Sequence, residues 1–385
     1  MVRGLSRGLF EAGARALFLQ YRSRGHNAGL KSQPREPEFD RAPVLGVLLT
    51  PIVLREQTTL KALQGKSFAV DGNIELHQFL AIIRKRDGTL FTDPHGRVTS
   101  HLIGLFTRTT RLITEYRMRL LFVFDGKPNL LKRRTVEARR IVRQKAEKEY
   151  GAAISRGDYS TAWSKAVMTG RVTGDVLDDA KKLLTLMGVP WLEALEDAEA
   201  QASHMASNGL VWGVGSKDYD SLLYGAPILA RYLTITGREY LPVQRKIRPL
   251  KPELVNLQKN LQALGITREQ LVDVAILVGT DFNDGVYGVG PKKALALIRR
   301  YGSLDKVPAE VRTQVPTNLE EVRRLFLKPR VRDISEIRQT PPDGDGLVRF
   351  LFEERGFSKE RVIKVATRLS DSHQHPDRGL TEWLH

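Results

Sequence analysis

Two short apolar runs in this sequence each end on an aspartate: Ser67-Phe-Ala-Val-Asp71 and Leu120-Leu-Phe-Val-Phe-Asp125. Neither alternates polar with apolar residues, so neither suits a strand with one wet face. Continuous apolar runs of this length fit strands of a parallel sheet covered on both sides. Gly188-Val-Pro-Trp-Leu192 and Gly209-Leu-Val-Trp-Gly-Val-Gly215 read as two more short strands, and Ile228–Ile235 as a further one. Helical stretches alternate with them, one from about Leu76 to Arg86 and a long, very polar one over 127–170. The alternation predicts an α/β fold with a mostly parallel sheet. Residues 268–301 read as two helices joined by a Gly-rich turn.

In an open parallel sheet the carboxyl ends of the strands share one edge, and ligands bind there. Asp71 and Asp125 close their runs at that edge. Asp218 and Asp220 follow the 209–215 run, Asp197 and Glu199 start the helix after the Trp191 run, and Asp281 follows Val274–Val278. These acids stand out because the chain is basic: 385 residues carry 61 Lys+Arg against 44 Asp+Glu, a net charge of +17. Such a balance points to a polyanionic partner, most often nucleic acid. Acids delivered to one edge repel each other, and such a cluster persists where divalent cations neutralise it.

The sequence has no cysteine. A disulfide scaffold, a thiol nucleophile, thiolate zinc and iron–sulfur clusters are thereby excluded. Oxygen ligands without a Cys or His cluster suit Mg²⁺ or Mn²⁺ rather than Zn²⁺. Two such ions about 3.5–4 Å apart are the usual device for hydrolysing a phosphodiester. No apolar run reaches the roughly 18 residues of a membrane-spanning helix. Taken singly, each acid has an ordinary structural reading. Asp197 caps its helix with Glu199 in the first turn, and Asp218, Asp220 and Asp125-Gly126 are turn residues. Taken together, at strand ends of a basic protein, the metal reading is the stronger one.

Four ordered motifs carry a resemblance. Val123-Phe-Asp-Gly-Lys-Pro128, Asp197-Ala-Glu-Ala-Gln-Ala202, Ser216-Lys-Asp-Tyr-Asp-Ser-Leu-Leu-Tyr-Gly225 and the stretch from Val278 to Ala294 closely resemble the flap endonucleases, structure-specific 5′ nucleases of DNA replication and repair. The archaeal form is the nearest match, over about Gly46 to Leu384. The resemblance implies a PIN-like, Rossmann-like sheet flanked by helices, a helical arch and a helix–three-turn–helix. It also implies that Asp71, Asp125, Asp197 and Glu199 hold one Mg²⁺, and that Asp218, Asp220 and Asp281 hold a second, with Glu199 near both. Mn²⁺ would substitute. The family has Glu where this chain has Asp197, one methylene shorter.

Lys132 and Arg139 lie seven and fourteen residues after Asp125, on one helical face. In the family such cations steer the scissile phosphate and stabilise the transition state, which agrees with the physics of a cation aimed at phosphoryl oxygens. Arg143 is a further DNA-binding candidate. From Lys127 to Lys148 there are nine cations and two acids, so most of them are ordinary surface charge. The resemblance makes residues 130–173 the arch, with few apolar stripes and low stability of its own, suited to ordering around a single strand.

Gly288 and Gly290 in the Gly-rich turn let backbone approach a phosphate, with Lys292 and Lys293 adding charge. By resemblance this helix–three-turn–helix grips duplex DNA without reading sequence, often with a K⁺ ion. Glu199 and Asp281 also border the DNA. His77 stands where the family has a base-stacking Tyr; it either stacks or is a satisfied buried polar residue. Phe79 and Leu80 are either an apolar wedge at the bend of the duplex or plain core.

The domain organisation read from the sequence is an extension over 1–45, a nuclease region over 46–145, an internal nuclease region over 161–305 that includes the helix–three-turn–helix at 279–305, a helical region over 306–371 and a tail over 372–385. The first 35 residues hold seven cations and one acid, Glu11. They read as a disordered extension or a misplaced start, with translation beginning at Leu45, and secondarily as a transit peptide. The family's early glycine, near the active site, corresponds to Gly46. In the tail, Leu380, Trp383 and Leu384 resemble a sliding-clamp peptide, with Asp377 at its Gln position. The expected activity is cleavage of 5′ flaps, with 5′-3′ exonuclease activity, by a monomer of the cytoplasm or nucleoid. The alternatives are a junction resolvase with the same centre, or an inert scaffold that binds branched DNA and recruits the clamp.

Overall fold

The computed structural model describes residues 47–85, 87–234, 237–241, 246–315 and 317–374. The expectations for residues 1–45, for Gly46 and for Leu380, Trp383 and Leu384 concern positions outside these. The central sheet has seven strands: β1 (Glu56–Gln57), β2 (Ser67–Asp71), β3 (Arg119–Phe124), β4 (Trp191–Glu193), β5 (Gly213–Gly215), β6 (Ile228–Arg231) and β9 (Glu253–Asn256). Between the last two, β7 (Gly237–Leu241) and β8 (Lys246–Leu250) form a separate antiparallel pair.

The strand order is β1-β9-β6-β5-β2-β3-β4. Phe68 of β2 lies opposite Leu120 of β3 on one side and Gly213 of β5 on the other, both in parallel register. The β3–β4 and β5–β6 pairs are parallel too. β9 and β1 add to the β6 edge in antiparallel fashion, which the sequence reading did not foresee. The chain comes back from β6 to β9 without a crossover helix, so antiparallel pairing is the available geometry.

Among the described residues of the run read over Ile228–Ile235 only β6 enters the sheet, and two other predicted strands are also shorter than expected. Gly188 and Gly209 have φ of 71° and 74°, so the first part of each run is a turn and only three residues enter the sheet. The first helix, α1 (Gly72–Ile82), starts four residues before its predicted beginning, because Asp71 caps it directly.

Both faces of the sheet are buried, as the continuous apolar runs require. Phe68, Val70, Leu120, Phe122 and Phe124 face one core, shared with α1, α2 (Ser100–Tyr116) and α5 (Gly174–Leu186). Ala69, Leu121, Val123 and Val214 face the other, shared with α6 (Ala198–Ser207), α9 (Arg268–Val278) and α10 (Pro291–Tyr301). Full burial of each such large side chain stabilises the fold by about 1.5–3 kcal/mol.

The region read as the arch consists of a 3-10 turn (Leu130–Lys132), α3 (Arg133–Ser155) and α4 (Tyr159–Ala166). Its seam is built from alanines rather than large apolar side chains: Ala146, Ala153, Ala162 and Ala166 are all buried. Small residues bring two helices close while burying little area, which fits the absence of an apolar stripe in the sequence. Further on, α7 (Asp220–Leu223), α8 (Leu257–Leu264), α11 (Leu319–Leu327) and α12 (Lys359–Gln374) complete the elements used below. The last of these runs past Ser372, where the tail was expected to begin. Among the described residues no helix is long and apolar enough to cross a membrane.

Candidate active site

Each acid is placed by the element before it. Asp71 ends β2 and caps α1, its Oδ1 accepting the Ile74 N–H at 2.9 Å. Asp125 follows β3; its Oδ1 accepts the Ala198 N–H at 2.9 Å, and its own N–H donates to Asn73 Oδ1 at 3.0 Å. One residue thus stitches β3 to the starts of α1 and α6. Asp197 caps α6 by accepting the Glu199 N–H at 3.1 Å, and the Tyr224 hydroxyl donates to its other oxygen at 3.2 Å. Glu199 is buried, with Oε1 accepting the Ser216 and Ser221 hydroxyls at 2.6 and 2.9 Å. Asp218 follows β5. Asp220 opens α7 and accepts the Val47 N–H at 2.9 Å. Asp281 lies just past α9.

These acids feel one another. Burial, then Asp125, pushes Asp71 well above the usual carboxylate range. Burial, then Asp220 and Asp218, does the same to Glu199. Burial, then Asp281 and Asp218, raises Asp220 to about 8. Burial raises Asp218 to about 6, with Lys217 opposing and Asp281 adding. Asp125 is exposed at the mouth of the site, yet the surrounding protein and then Asp197 still bring it to about 6. Asp197 alone is lowered: burial disfavours its charge, but the Lys132 ammonium outweighs burial.

Both arch cations reach this cluster. The Lys132 ammonium contacts Asp197 Oδ2 and sits 5.2 Å from the centre of the Phe282 ring. Burial works against its charge, but Asp197, Asp125 and Asp281 together hold it firmly protonated. Arg139 Nη2 donates to both oxygens of Asp281, and the Thr135 hydroxyl donates to the Asp281 carbonyl at 2.7 Å. Lys132 ends the 3-10 turn and Arg139 lies in α3, so the two-turn spacing does bring both to one side.

As they stand, no three His, Asp or Glu side chains among the described residues gather closely enough to hold a metal ion. Asp197 and Asp281 are occupied by Lys132 and Arg139, and Asp71, Asp125 and Glu199 each spend an oxygen on an internal donor. The donor set nevertheless fits hard divalent cations. All the donors are oxygens, and crowding has made most of the acids short of positive charge.

The Gly-rich turn lies between α9 and α10. Thr267 and Gln270 form a capping box at the start of α9. Asn283 ties the turn internally through Ile276 O at 2.8 Å and the Thr280 hydroxyl at 2.8 Å. Gly288 has φ 70°, and a Cβ at Gly288 or Gly290 would meet open space. Gly290 caps α10, Pro291 follows, and Lys292 and Lys293 are exposed on the first turn. The turn therefore offers backbone amides and two exposed ammonium groups to an approaching anion, that of Lys293 also reaching the Gly288 carbonyl at 3.5 Å.

Other expectations are corrected or resolved. His77 is exposed on α1, so it is not a buried polar residue. The protein around it, then Arg143 and Arg139, holds its imidazole down to about 4. Phe79 and Leu80 are fully buried in the core and cannot act as a wedge. Three features escaped the sequence reading. The serines Ser216 and Ser221 orient Glu199, and Tyr224 orients Asp197; their place inside the acidic motifs was the available signal. The third is Glu75, buried on α1 and raised to about 7 by burial, opposed by the Thr234 hydroxyl. An isolated Glu within a helix carries no signal of that kind.

The XPG N-terminal domain matches residues 44–146, and the XPG I-region matches residues 188–281. Between them these spans contain all seven acids and both arch cations. Flap endonuclease 1 of Staphylothermus marinus is 43% identical over 84% of this chain and 94% of its own length. That of Caldivirga maquilingensis is 46% identical over 84% of this chain and 93% of its own. This chain belongs to the flap endonuclease family. The fold agrees: the structure of flap endonuclease-1 from Methanococcus jannaschii superposes with a TM-score of 0.69 at 36% identity, covering 86% of this chain and all of that one. The α/β sheet with helices on both faces is thus the flap endonuclease fold.

Proposed function

We propose that this chain is a structure-specific 5′ nuclease that binds branched DNA bearing a 5′ flap and cuts one phosphodiester near the single-strand/duplex junction. The observation that carries this reading is a set of mutually repelling acids past β2, β3, β5 and α9, with Lys132 on Asp197 and Arg139 on Asp281, in a chain of net charge +17. Asp71, Asp125, Asp197 and Glu199 would hold one Mg²⁺, and Asp218, Asp220 and Asp281 a second, with Mn²⁺ as a substitute. When bound, the ions supply an activated water and neutralise charge on the leaving oxygen, giving a 5′-phosphate and a 3′-hydroxyl.

The chain's own residues do the rest. Lys132 and Arg139, released from Asp197 and Asp281, turn to the phosphoryl oxygens and offset charge in the transition state. Tyr224, Ser216 and Ser221 keep Asp197 and Glu199 oriented. Gly288, Gly290, Lys292 and Lys293 grip the duplex through phosphates, with K⁺ at the turn, so binding weakens steeply with salt. Arg143 and His77, both near Arg139, contact the strand beside the cut. The same centre supports 5′-3′ exonuclease activity. Leu380, Trp383 and Leu384 recruit a sliding clamp.

The test is cleavage of a 5′-labelled flap with and without Mg²⁺, beside nicked duplex and a four-way junction. Asp218→Ala abolishes cutting and leaves flap binding intact. If the parent chain binds the flap but cuts none of these substrates with Mg²⁺ or Mn²⁺, the nuclease reading fails and a DNA-binding scaffold replaces it.

A further inference from the structure

Residues 329–343, after α11, contain no regular secondary structure. Runs of that length inside a compact fold are uncommon and usually serve function. This one is fastened to α6, the helix that begins at Asp197. Gln201 on α6 is fully buried and spends its whole side-chain amide on one residue of the run. Its Oε1 accepts the Arg332 N–H at 2.7 Å, and its Nε2 donates to the Arg332 carbonyl at 2.9 Å. His204, further along α6, meets Asp333 at 3.0 Å.

A second set of contacts continues from this run to the arch. Arg330 Nη1 donates to Glu196 Oε1 at 3.1 Å. Asn129 Nδ2 donates to Glu196 Oε2 at 3.2 Å. Asn129 in turn shapes the foot of the arch: its Oδ1 accepts the Leu131 N–H at 2.9 Å, and its carbonyl accepts the Lys132 N–H at 3.0 Å. Glu196 also accepts the Gly126 N–H through its own carbonyl at 2.8 Å. It directly precedes Asp197, the residue that Lys132 touches. These groups line one cavity of about 200 Å³, which Lys132 and Asp197 share with Arg330, Glu196 and Asn129.

The Arg330 side chain is 76% exposed, and exposed ion pairs add little stability. What the contacts do is geometric: they fix the arch foot relative to the start of α6. We propose that Glu196 is a positioning residue for Lys132, and that residues 329–343 are the strap that holds Glu196 in place. The proposal rests on the role given to Lys132 under Proposed function.

Single-turnover cleavage of a flap tests it, with the full chain carrying Glu196→Ala, Glu196→Gln, Arg330→Ala, Lys132→Ala, or Glu196→Ala with Lys132→Ala. Glu196→Ala lowers the rate at saturating enzyme about 10-fold, the scale of lost orienting contacts, and leaves substrate affinity within about 2-fold of the parent. Glu196→Gln, whose amide oxygen still accepts from Asn129, restores most of the rate. Arg330→Ala, a surface change that does not threaten folding, moves the rate in the same direction by less. In the Lys132→Ala background, Glu196→Ala adds nothing further, because contacting residues in one network are non-additive. An equal loss in both backgrounds overturns the proposal, as does a loss confined to affinity. If Lys132→Ala itself leaves the rate unchanged, the reading of Lys132 has failed, and that is seen separately.

Discussion

Arg139 holds both carboxylate oxygens of Asp281, at 2.7 and 2.8 Å. Lys132 contacts a single oxygen of Asp197, Oδ2, whose partner oxygen accepts the Glu199 N–H. The arch therefore rests on the acidic centre through its own cations.

Divalent cations should loosen the arch. Competing for Asp197 and Asp281, they free Lys132 and Arg139 and remove the two ion pairs that tie the arch to the acidic centre. Amide hydrogen exchange over residues 133–155, without DNA, is expected to be faster in Mg²⁺ than in EDTA. Equal exchange in the two conditions would sink the idea.

Stability should depend on pH with a definite sign. Asp220 is raised to about 8 and Glu75 to about 7, and Asp71 and Glu199 also lie well above their ordinary values. The native state therefore holds protons that the unfolded chain has already released, so stability is lost as pH rises through these values. His77 and His101, both held down to about 4, act in the opposite sense, but only below their ordinary value of 6.5. Between pH 7 and 9 the melting temperature in EDTA is expected to fall. Asp220→Asn reduces the slope, and Mg²⁺ flattens it. A melting temperature that climbs over this range in EDTA contradicts the account.

The α9–α10 turn makes a prediction about salt. Lys292→Ala is expected to weaken binding to any duplex about equally and to reduce the slope of log K against log salt by about 1. A loss confined to some sequences, or an unchanged slope, would remove Lys292 from the phosphate contacts.

Phe79 separates core from wedge. It is fully buried beside Gly104, so Phe79→Ala should cost about 3–5 kcal/mol in urea denaturation. Flap affinity of the folded fraction should stay unchanged. Weaker flap binding at full stability would restore the wedge.

The apolar runs ending at Asp71 and Asp125 made the parallel centre of the sheet legible, because burial on both faces leaves no room for polar alternation. The acids drew attention for a related reason: a charge closing an apolar run is conspicuous in a basic chain, although Asp71 and Asp125 also serve as a cap and a bridge between elements. What stayed hidden depends on distant partners. β1 and β9 are too short to show a pattern and exist by pairing at the sheet edge. His77 and Phe79 lie two residues apart on α1, yet one is exposed and the other buried, a distinction fixed by which neighbours pack on the helix. The Glu196–Asn129 contact joins two loops, and nothing local marks either residue.

The acidic centre draws its members from Asp71 to Asp281, and its first carboxylate comes from a strand that pairs with β3 and β5 on either side. Asp281 lies beyond α9, late in the chain. During synthesis the sheet's early strands emerge long before the residue that Arg139 grips. A ribosome-bound fragment ending before α9 would own most of the acids and all of the arch, yet lack the last corner of the site. The acidic centre is therefore complete only after α9 has been made.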